Sequence, residues 1–422
     1  MQEREVKLAV PVGFELPELG GPDDGFQAEP QAPRRMRVTY YDTPDLRLAR
    51  WGASLRHRTG EGWTVKLPAG QEGAMLVRGE HVFPGDGRRP PAEAVDLVRA
   101  FVRGSQLAPV ARLRTLRRPV ELRDQQGERL AELVDDEVQV LDGRRIASRF
   151  REVEVELAEA AGTGVLDRVL ERLRQAGAET AEPIPKYLRA LAGRERQLGP
   201  ELAQPKLDRD ASVAALLRHD LAAGTTRLFR HEAAVRVGED PEAVHQARVA
   251  TRRLRSTLRT FRSLLEPEWT TRLRDELKWL AEMLGGVRDA EVLDRRISDA
   301  LAAEPPELVL GPVAARLSER LRGDTAKHRA ALVRVLDGRR YAALLDDLDA
   351  LLAEPPTGRG AEPADDVVRK RVRKAVTEVD ELIKAAMRAE DAPDRPEAPP
   401  LPGVVPPDEA LHEARKAAKR AR

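Results

Sequence analysis

The sequence of 422 residues contains no cysteine, few aromatic residues and no long apolar segment. Without cysteine, the chain cannot form disulfides, thiolate metal sites or cysteine nucleophiles. Aromatic residues make up only 4% of the chain, which is typical of cores packed from aliphatic side chains. No apolar run approaches the roughly 20 residues of a membrane-spanning helix, and the charged N-terminus has no apolar signal-peptide region. We therefore expect a soluble, cytoplasmic protein with no membrane partner.

Net charge is nearly absent as well. Lys and Arg number 72 and Asp and Glu number 71, so the net charge is only +1. The overall charge therefore predicts no partner, and any preference must come from the segregation of charges along the chain. The length is too great for one compact core and predicts two or three domains.

Strand-like alternation dominates residues 1–195. Like charges recur two residues apart at Arg56/Arg58, Arg112/Arg114 and Glu152/Glu154. Such residues share one face of a strand, where a half-buried sheet normally carries apolar side chains. Gly- and Pro-rich turns separate the strands, as in an antiparallel sheet or barrel. In a closed sheet these charges would line a lumen that binds a divalent cation and phosphate oxygens. The alternative is the solvated face of an ordinary sheet.

Several motifs in this region resemble those of the CYTH domain, found in triphosphate tunnel metalloenzymes. They are E-x-E-x-K from residue 3, YYDTPDLRL, LRHR, WTVKLP and REVEVEL. The resemblance covers residues 1–195 and implies an α+β domain built on an eight-stranded antiparallel tunnel. Members of this family hydrolyse inorganic triphosphate, thiamine triphosphate or nucleotide triphosphates, and a few are adenylate cyclases.

The resemblance also implies roles for individual residues. The metal, Mg²⁺ or Mn²⁺, would be held by Glu3, Glu5, Glu152 and Glu154. The triphosphate would be bound by Lys7, Arg56, Arg58, Lys66 and Lys186. Arg114 is the preferred further phosphate-binding arginine, with Arg112 and Arg117 as alternatives. Either Asp135 or Asp136 matches the family aspartate, and Asp136 is preferred because it shares a strand face with Glu132 and Val134. The implied chemistry is metal-assisted phosphoryl transfer to water.

Helical periodicity replaces the strand pattern from about residue 205 to the end. The predicted helices are Ser212–Val237, Pro241–Leu265, Trp269–Leu284, Asp289–Ala303, Gly311–Leu336, Tyr341–Ala353 and Ala364–Glu390. Pro241 follows Glu239 and Asp240, which is typical of a helix start. The stretch 391–407 holds seven prolines and is expected to be a flexible connection.

Residues 243–265 carry six arginines and no acidic residue. At helical period one face collects His245, Arg248, Arg252, Arg255 and Arg259. The opposite face is mostly apolar and includes Leu254 and Leu258. Like charges at these spacings cost a helix roughly 0.2–0.5 kcal/mol per pair, so the row favours a polyanionic partner.

The basic helix has a second copy near the end of the chain. The segment LHEARKAAKRAR repeats VHQARVATRRLR, and His412, Arg415, Lys419 and Arg422 reproduce the spacing of the first copy. Two copies of one helical unit indicate two related bundles. The sequence stops at Arg422 inside the second copy, so we expect the second bundle to be incomplete.

This repeat, together with LKWLAEMLGGVRDAEVL, resembles the CHAD domain. The resemblance implies an all-α domain over residues 205–422, built from pseudo-repeated four-helix bundles. It also implies polyphosphate binding along a basic groove and association with polyphosphate granules. The implied groove residues are His245, Arg248, Arg252, Arg253, Arg255, Arg259, His412, Arg415, Lys416, Lys419 and Arg420, with Lys278 and Arg288 as weaker candidates. A zinc site is not expected, because His245 has no set of ligands at metal-binding spacing.

The leading hypothesis is a metal-dependent triphosphatase that acts on inorganic triphosphate or short polyphosphate, with a helical domain that binds polyphosphate. The intact E-x-E-x-K and distal E-x-E motifs favour this enzyme over a non-catalytic polyphosphate-binding protein. A nucleotide-acting CYTH enzyme, either an adenylate cyclase or a thiamine triphosphatase, is the chemical alternative. Nucleic-acid binding is disfavoured because no aromatic residues interleave with the basic ones.

Overall fold

The structure is a computed structural model. It describes residues 2–11, 13–21, 25–72, 75–158, 161–180, 186–191, 200–309, 311–353, 360–390, 412–413 and 415–418. The chain divides into two compact units, residues 1–201 with 229–240, and residues 202–228 with 241–422.

The first unit is an antiparallel sheet that closes on itself. Its strands are β1 (Gln2–Ala9), β2 (Gln27–Pro30), β3 (Arg34–Asp42), β4 (Ser54–Arg58), β5 (Gly62–Glu72), β6 (Met75–Phe83), β7 (Ala108–Arg123), β8 (Arg129–Asp142), β9 (Arg145–Leu157) and β10 (Glu179–Thr180). In the described part of the chain, eight strands follow each other in the order β1-β6-β5-β4-β3-β7-β8-β9, and β9 pairs with β1 to close the ring. The remaining two, β2 and β10, pair with β7 and β1. The predicted eight-stranded antiparallel tunnel is confirmed.

The chemistry of the side chains that face the interior changes along the length of the strands. At one end the interior is apolar, with Leu113 of β7 and Val138 of β8 in a buried cluster. At the other end the interior is charged, and Arg117 of β7 lies opposite Asp136 of β8. There the apolar side chains lie on the outer face of the sheet, where those of β1, β8 and β9 pack against one helix (Thr163–Gln175). That helix therefore supplies the hydrophobic cover that lets the interior remain polar.

Among the residues that the structure describes, five helices accompany the sheet: α1 (Arg47–Arg50), α2 (Ala92–Leu97), α3 (Arg99–Val102), α4 (Thr163–Gln175) and α5 (Lys186–Ala190). The YYDT motif holds α1 against the end of β3. Asp42 accepts hydrogen bonds from the backbone N–H groups of Thr43, Leu48 and Ala49 at 2.7, 2.8 and 3.0 Å. Burial nevertheless raises the pKa of Asp42 to about 6, although these N–H groups favour its charged form.

The helical region contains α6 (Val213–Val237), α7 (Pro241–Thr260), α8 (Pro267–Ala303), α9 (Val313–Leu336), α10 (Arg339–Ala353) and α11 (Ala364–Glu390). Residues 412–413 and 415–418 are helical too. The predicted all-α character is confirmed. None of the helices in the described ranges combines the length and the apolar composition needed to cross a membrane.

The predicted break between Leu284 and Asp289 is wrong, because α8 runs through both positions without interruption. Gly285 and Gly286 lie between the two predicted helices. In the structure, a Cβ atom on Gly286 would lie 2.9 Å from Nδ1 of His328 in α9. The absence of a side chain there lets the two helices approach each other closely.

Candidate functional site

The charged end of the tunnel encloses a cavity of about 290 Å³. Among the described residues, eight cationic and five acidic side chains line it. They are Lys7, Arg56, Arg58, Lys66, Arg78, Arg117, Arg129 and Lys186, with Glu5, Glu80, Glu132, Glu154 and Glu156. The surplus of cations suits an anion with several charges, and the low exposure of the walls strengthens each interaction.

On the β1–β9 wall, an ammonium group separates two carboxylates. Lys7 Nζ lies 3.5 Å from Glu5 Oε1 and donates a hydrogen bond to Glu154, its cross-strand neighbour. Arg78 donates a hydrogen bond to the same Oε1 atom of Glu5. Burial alone would raise the pKa of Glu154, but Lys186, Lys7 and Arg117 together hold it well below its ordinary value. The carboxylates are therefore ionised and already paired with cations.

The β7–β8 wall carries a second set of ion pairs. Arg117 grips Asp136 through two parallel hydrogen bonds of 2.9 and 2.7 Å. Lys186, at the start of α5, also donates to Asp136 and reaches Glu154 at 2.7 Å. Burial would raise the pKa of Asp136, but Lys186 and Arg117 outweigh it and lower the value. The Lys186 ammonium also lies 3.2 Å from Glu152, so it bridges carboxylates on two strands.

The wall formed by β4, β5 and β6 is richer in cations. Glu80 lies 3.7 Å from Arg56 Nη2 and 3.5 Å from Lys66 Nζ. Arg56 also donates a hydrogen bond to Tyr40, whose ring stacks on Tyr187 at 5.0 Å. Burial and the neighbouring Arg56 and Arg117 lower the pKa of Arg58, and its buried Nε atom has no hydrogen-bond partner within the described residues. This wall is the part of the cavity best prepared to receive an anion.

Most of the predicted tunnel residues meet in this cavity. It is lined by Glu5, Lys7, Arg56, Arg58, Lys66, Arg117, Glu154 and Lys186, and Asp136 and Glu152 adjoin it through Lys186. Glu3 lies in β1 opposite Arg78, and its side chain falls outside the described part of the chain. The structure does not bring Arg112 or the preferred Arg114 into the cavity, because both are exposed on the outer face of β7. In their place the inward-facing arginine of that strand is Arg117.

Sequence reasoning missed several lining residues, among them Tyr40, Arg78, Glu80 and Arg129. Arg78 and Glu80 place two charged residues on one face of a strand, as Arg56 and Arg58 do, although their charges are of opposite sign. That signal could have found them. Tyr40 and Arg129 carry no such pattern and become visible only from the fold.

The carboxylates have the right chemistry for a hard divalent cation, since they are ionised oxygen donors. Within the described residues, which omit the Glu3 side chain, no three carboxylates or imidazoles converge on one point. The ammonium groups of Lys7 and Lys186 stand between the carboxylates that would have to converge. The donor set therefore fits Mg²⁺ or Mn²⁺ once those ammonium groups move aside.

A second candidate site is a groove of about 1020 Å³ between α7 and α8. Its basic residues are His245, Arg248, Arg252, Arg255, Lys278, Arg288 and Arg296. Two carboxylates share the lining, and Asp289 pairs with Arg248 at 3.2 Å while Glu282 lies 3.8 Å from Lys278. On the opposite side of α7, Leu254 and Leu258 are fully buried. The helix thus packs with one face and presents cations with the other.

Three arginines of this groove stand out. In the described ranges no carboxylate lies within 4 Å of Arg252, Arg255 or Arg296, which leaves them available to a ligand. Sequence reasoning did not select Arg296, although it lies two helical turns after Arg288 on the same helix. Unpaired guanidinium groups on both walls suit a chain of phosphates.

The remaining predicted groove residues lie elsewhere or outside the described residues. Arg253 points toward α6, where it lies 3.3 Å from Asp220, and Arg259 does not line the groove. Of the second copy, His412, Arg415 and Lys416 are exposed, and Lys416 pairs with Glu413 at 2.7 Å. Lys419 and Arg420 fall outside the described residues.

Comparisons with known proteins agree with both halves of this description. The CYTH domain family matches residues 1–188 and the CHAD domain family matches residues 219–422. The uncharacterized protein Rv2226 of Mycobacterium tuberculosis (strain H37Rv) is 36% identical over an alignment that covers 94% of this chain and 76% of that protein.

Two solved structures are similar over about half of the chain each. The CHAD domain from the plant Ricinus communis has a TM-score of 0.38 and 27% identity, covering 52% of this chain and 66% of that one. A putative adenylyl cyclase from Hippeastrum, described as having a dominant triphosphatase activity, has a TM-score of 0.29 and 17% identity, covering 45% of this chain and 96% of that one.

Proposed function

Because the chain belongs to the family of proteins in which a CYTH domain is followed by a CHAD domain, we propose that it is a metal-dependent triphosphatase that binds polyphosphate. The CYTH family includes triphosphatases and cyclases, so an enzyme of phosphoryl transfer is supported at that level. The finer proposal is that the tunnel hydrolyses inorganic triphosphate or short polyphosphate. The single observation that carries it is the buried cavity with eight cations and five carboxylates.

Substrate binding would use the cation-rich wall. Arg56, Arg58 and Lys66 can contact successive phosphate groups, and guanidinium groups match phosphate oxygens in bidentate fashion. Arg117 lies on the opposite wall and would contact the same chain from the other side. Because the cavity is narrow and polar, it excludes bulky groups and holds the substrate in one orientation.

Glu3, Glu5, Glu152 and Glu154 would hold the Mg²⁺ or Mn²⁺ ion, and the bound ion would supply positive charge to the phosphates and acidify the attacking water. Lys7 and Lys186 have a different task. Each now contacts carboxylates, and each also lines the cavity. They can transfer their hydrogen bonds from carboxylate to phosphate oxygens when the substrate enters.

The groove between α7 and α8 would bind polyphosphate and keep the tunnel near a polymeric store of phosphate, such as a polyphosphate granule. The unpaired Arg252, Arg255 and Arg296 support this role. A non-catalytic binding protein, an adenylate cyclase and a thiamine triphosphatase remain the competing functions. Nucleic acid is the competing polymer.

One set of assays separates these functions. Phosphate release is measured from triphosphate, ATP, thiamine triphosphate and long polyphosphate with Mg²⁺ or Mn²⁺, beside a Glu5→Ala variant. We expect the fastest release from triphosphate and its loss in the variant. Equal release by both proteins would contradict the triphosphatase. Faster formation of cyclic product from ATP than of phosphate from triphosphate would identify a cyclase.

A further inference from the structure

The outer face of β3, β7, β8 and β9 carries arginines in register. Arg37 lies opposite Arg114, Arg114 lies opposite Gln139, and Gln139 lies opposite Arg149. One row across four strands therefore contains three arginines. Two more lie on the same face, and we call the five together the outer arginine face: Arg35, Arg37, Arg112, Arg114 and Arg149.

All five side chains are exposed. In the described part of the chain, no carboxylate lies within 4 Å of any of them. The nearest acidic residues on this face are already engaged, since Glu137 pairs with Arg118 at 2.8 Å and Asp135 with Arg151 at 2.7 Å. The exposed Asp142 lies at the β8–β9 hairpin opposite Arg145. The outer arginine face thus keeps an excess of positive charge.

This arrangement has a cost in the free protein. Like charges that lie directly opposite each other on neighbouring strands destabilise a sheet, and Arg37 opposite Arg114 is such a pair. Strands are about 4.8 Å apart and alternate residues about 6.8 Å apart along a strand, so the guanidinium groups lie within one Debye length of each other. A ligand with closely repeated negative charge would remove this repulsion.

We propose that the outer arginine face is a further binding surface for a phosphate polyanion, specifically polyphosphate. The choice of polyphosphate rests on the proposed function, because the tunnel and the groove would bind the same chemistry. All five cations are arginines, which bind phosphate oxygens in bidentate fashion. The residues between them, Thr39, Leu116, Gln139 and Leu141, include no aromatic ring on which an unpaired base could stack.

The test measures binding of long-chain polyphosphate to the full chain by calorimetry, without metal so that no hydrolysis occurs. An Arg252→Glu/Arg255→Glu background removes the groove. In that background, Arg112→Glu/Arg114→Glu is compared with Arg88→Glu/Arg89→Glu. The second variant changes the net charge equally, at two exposed residues of the loop between β6 and α2. We expect at least roughly fivefold weaker binding in the first variant, the loss typical of one arginine beside an anionic surface. The control should bind like its parent.

Three results would overturn the proposal. One is equal weakening in both variants, since net charge alone would then explain the loss. Another is no measurable binding in the groove-defective parent. The third is duplex DNA or single-stranded RNA binding as tightly as polyphosphate at equal phosphate concentration, with the same loss on charge reversal. Because no turnover is measured, any of these results leaves the triphosphatase proposal untouched.

Discussion

At the scale of single residues, one step along β7 separates a residue of the tunnel from a residue of the surface. Arg117 faces inward and grips Asp136, whereas Arg118 faces outward and pairs with Asp135 and Glu137. The two residues have the same chemistry and nearly the same position in the chain. They therefore offer a matched test of what the tunnel interior contributes.

We expect Arg117→Ala to lower triphosphate turnover by roughly a hundredfold or more, the loss typical of one preorganised donor at developing charge. Asp136 would keep Lys186 as a partner, so the fold should survive. Initial rates of phosphate release at saturating triphosphate measure the effect.

Arg118→Ala is the control for this prediction. It removes an equal side chain from the same strand, and Asp135 remains paired with Arg151. Its turnover should stay within about threefold of the parent, because surface changes of this kind have small effects. A loss as large as that of Arg117→Ala would show that the arginines act through the stability of β7.

Asp42 gives a prediction about pH. Burial raises its pKa in the folded chain to about 6 from an ordinary 3.8, so the folded state binds the proton more tightly than the unfolded state. The free energy of unfolding should therefore fall as the pH rises from 4 to 6, by up to about 3 kcal/mol from this group, and level off above.

The Asp42→Asn variant isolates this contribution, because an amide does not titrate. Thermal midpoints of both proteins are compared between pH 4 and pH 7. The difference, parent minus variant, should decrease as the pH rises. A difference independent of pH would mean that Asp42 titrates normally in the folded chain.

How far the sequence could identify the tunnel residues depends on the strand. On β1, β4 and β9 the spacing of like charges placed Glu5, Arg56 and Glu154 together. On β7 the pattern R-x-R-x-x-R-R places arginines on both faces of the strand. The inner face of that strand also changes from apolar at Leu113 to charged at Arg117. Only the pairing of Arg117 with Asp136 decides which arginine faces inward, and that pairing is a property of the closed sheet.

At the scale of elements, α7 carries arginines on two different faces, one toward the groove and one toward α6. Consecutive residues on a helix diverge by about 100°, so Arg252 lines the groove while Arg253 turns toward Asp220 of α6. We expect Arg252→Ala to weaken polyphosphate binding by roughly fivefold, since it removes one cation next to the polyanion. Fluorescence anisotropy with labelled polyphosphate measures the affinity.

Arg253→Ala provides the matched comparison on the next residue. It removes the same charge from the chain, yet it lies outside the groove, so its effect should be clearly smaller than that of Arg252→Ala. Equal losses would mean that the net charge of α7, and not the groove, sets the affinity.

Helical periodicity predicted the course of most of this region, because apolar residues such as Leu254 and Leu258 mark the buried face of a helix locally. The error at Gly285 and Gly286 has a non-local cause. Two adjacent glycines usually favour a turn, but here the missing side chain of Gly286 allows close contact with His328 of α9. Nothing in residues 280–290 alone reveals that partner.

At the scale of the whole molecule, the closed sheet brings ammonium groups and carboxylates of different strands into direct contact. Lys7 lies between Glu5 and Glu154, and Lys186 joins Asp136 to Glu154. In the proposed function these carboxylates hold the metal and these ammonium groups bind the substrate. The two ligands should then favour each other, because each would release the residues that the other needs.

This coupling predicts that removal of a positive charge from the tunnel increases the affinity for a divalent cation. In Lys7→Met, Glu5 and Glu154 lose the ammonium group between them, so a divalent cation no longer competes with it. We expect Mn²⁺ to bind at least about tenfold more tightly to this variant than to the parent in the absence of triphosphate. The measurement is Mn²⁺ titration by electron paramagnetic resonance at pH 8, where the carboxylates stay ionised.

Lys66→Met is the control, because Lys66 lies on another wall beside Glu80 and does not separate Glu5 from Glu154. Its Mn²⁺ affinity should stay close to that of the parent. Circular dichroism must show that both variants are folded, since removal of Lys7 leaves buried carboxylates with fewer partners. Unchanged or weaker Mn²⁺ binding by folded Lys7→Met would show that the ammonium group does not occupy the position of the metal, and that metal and substrate bind independently.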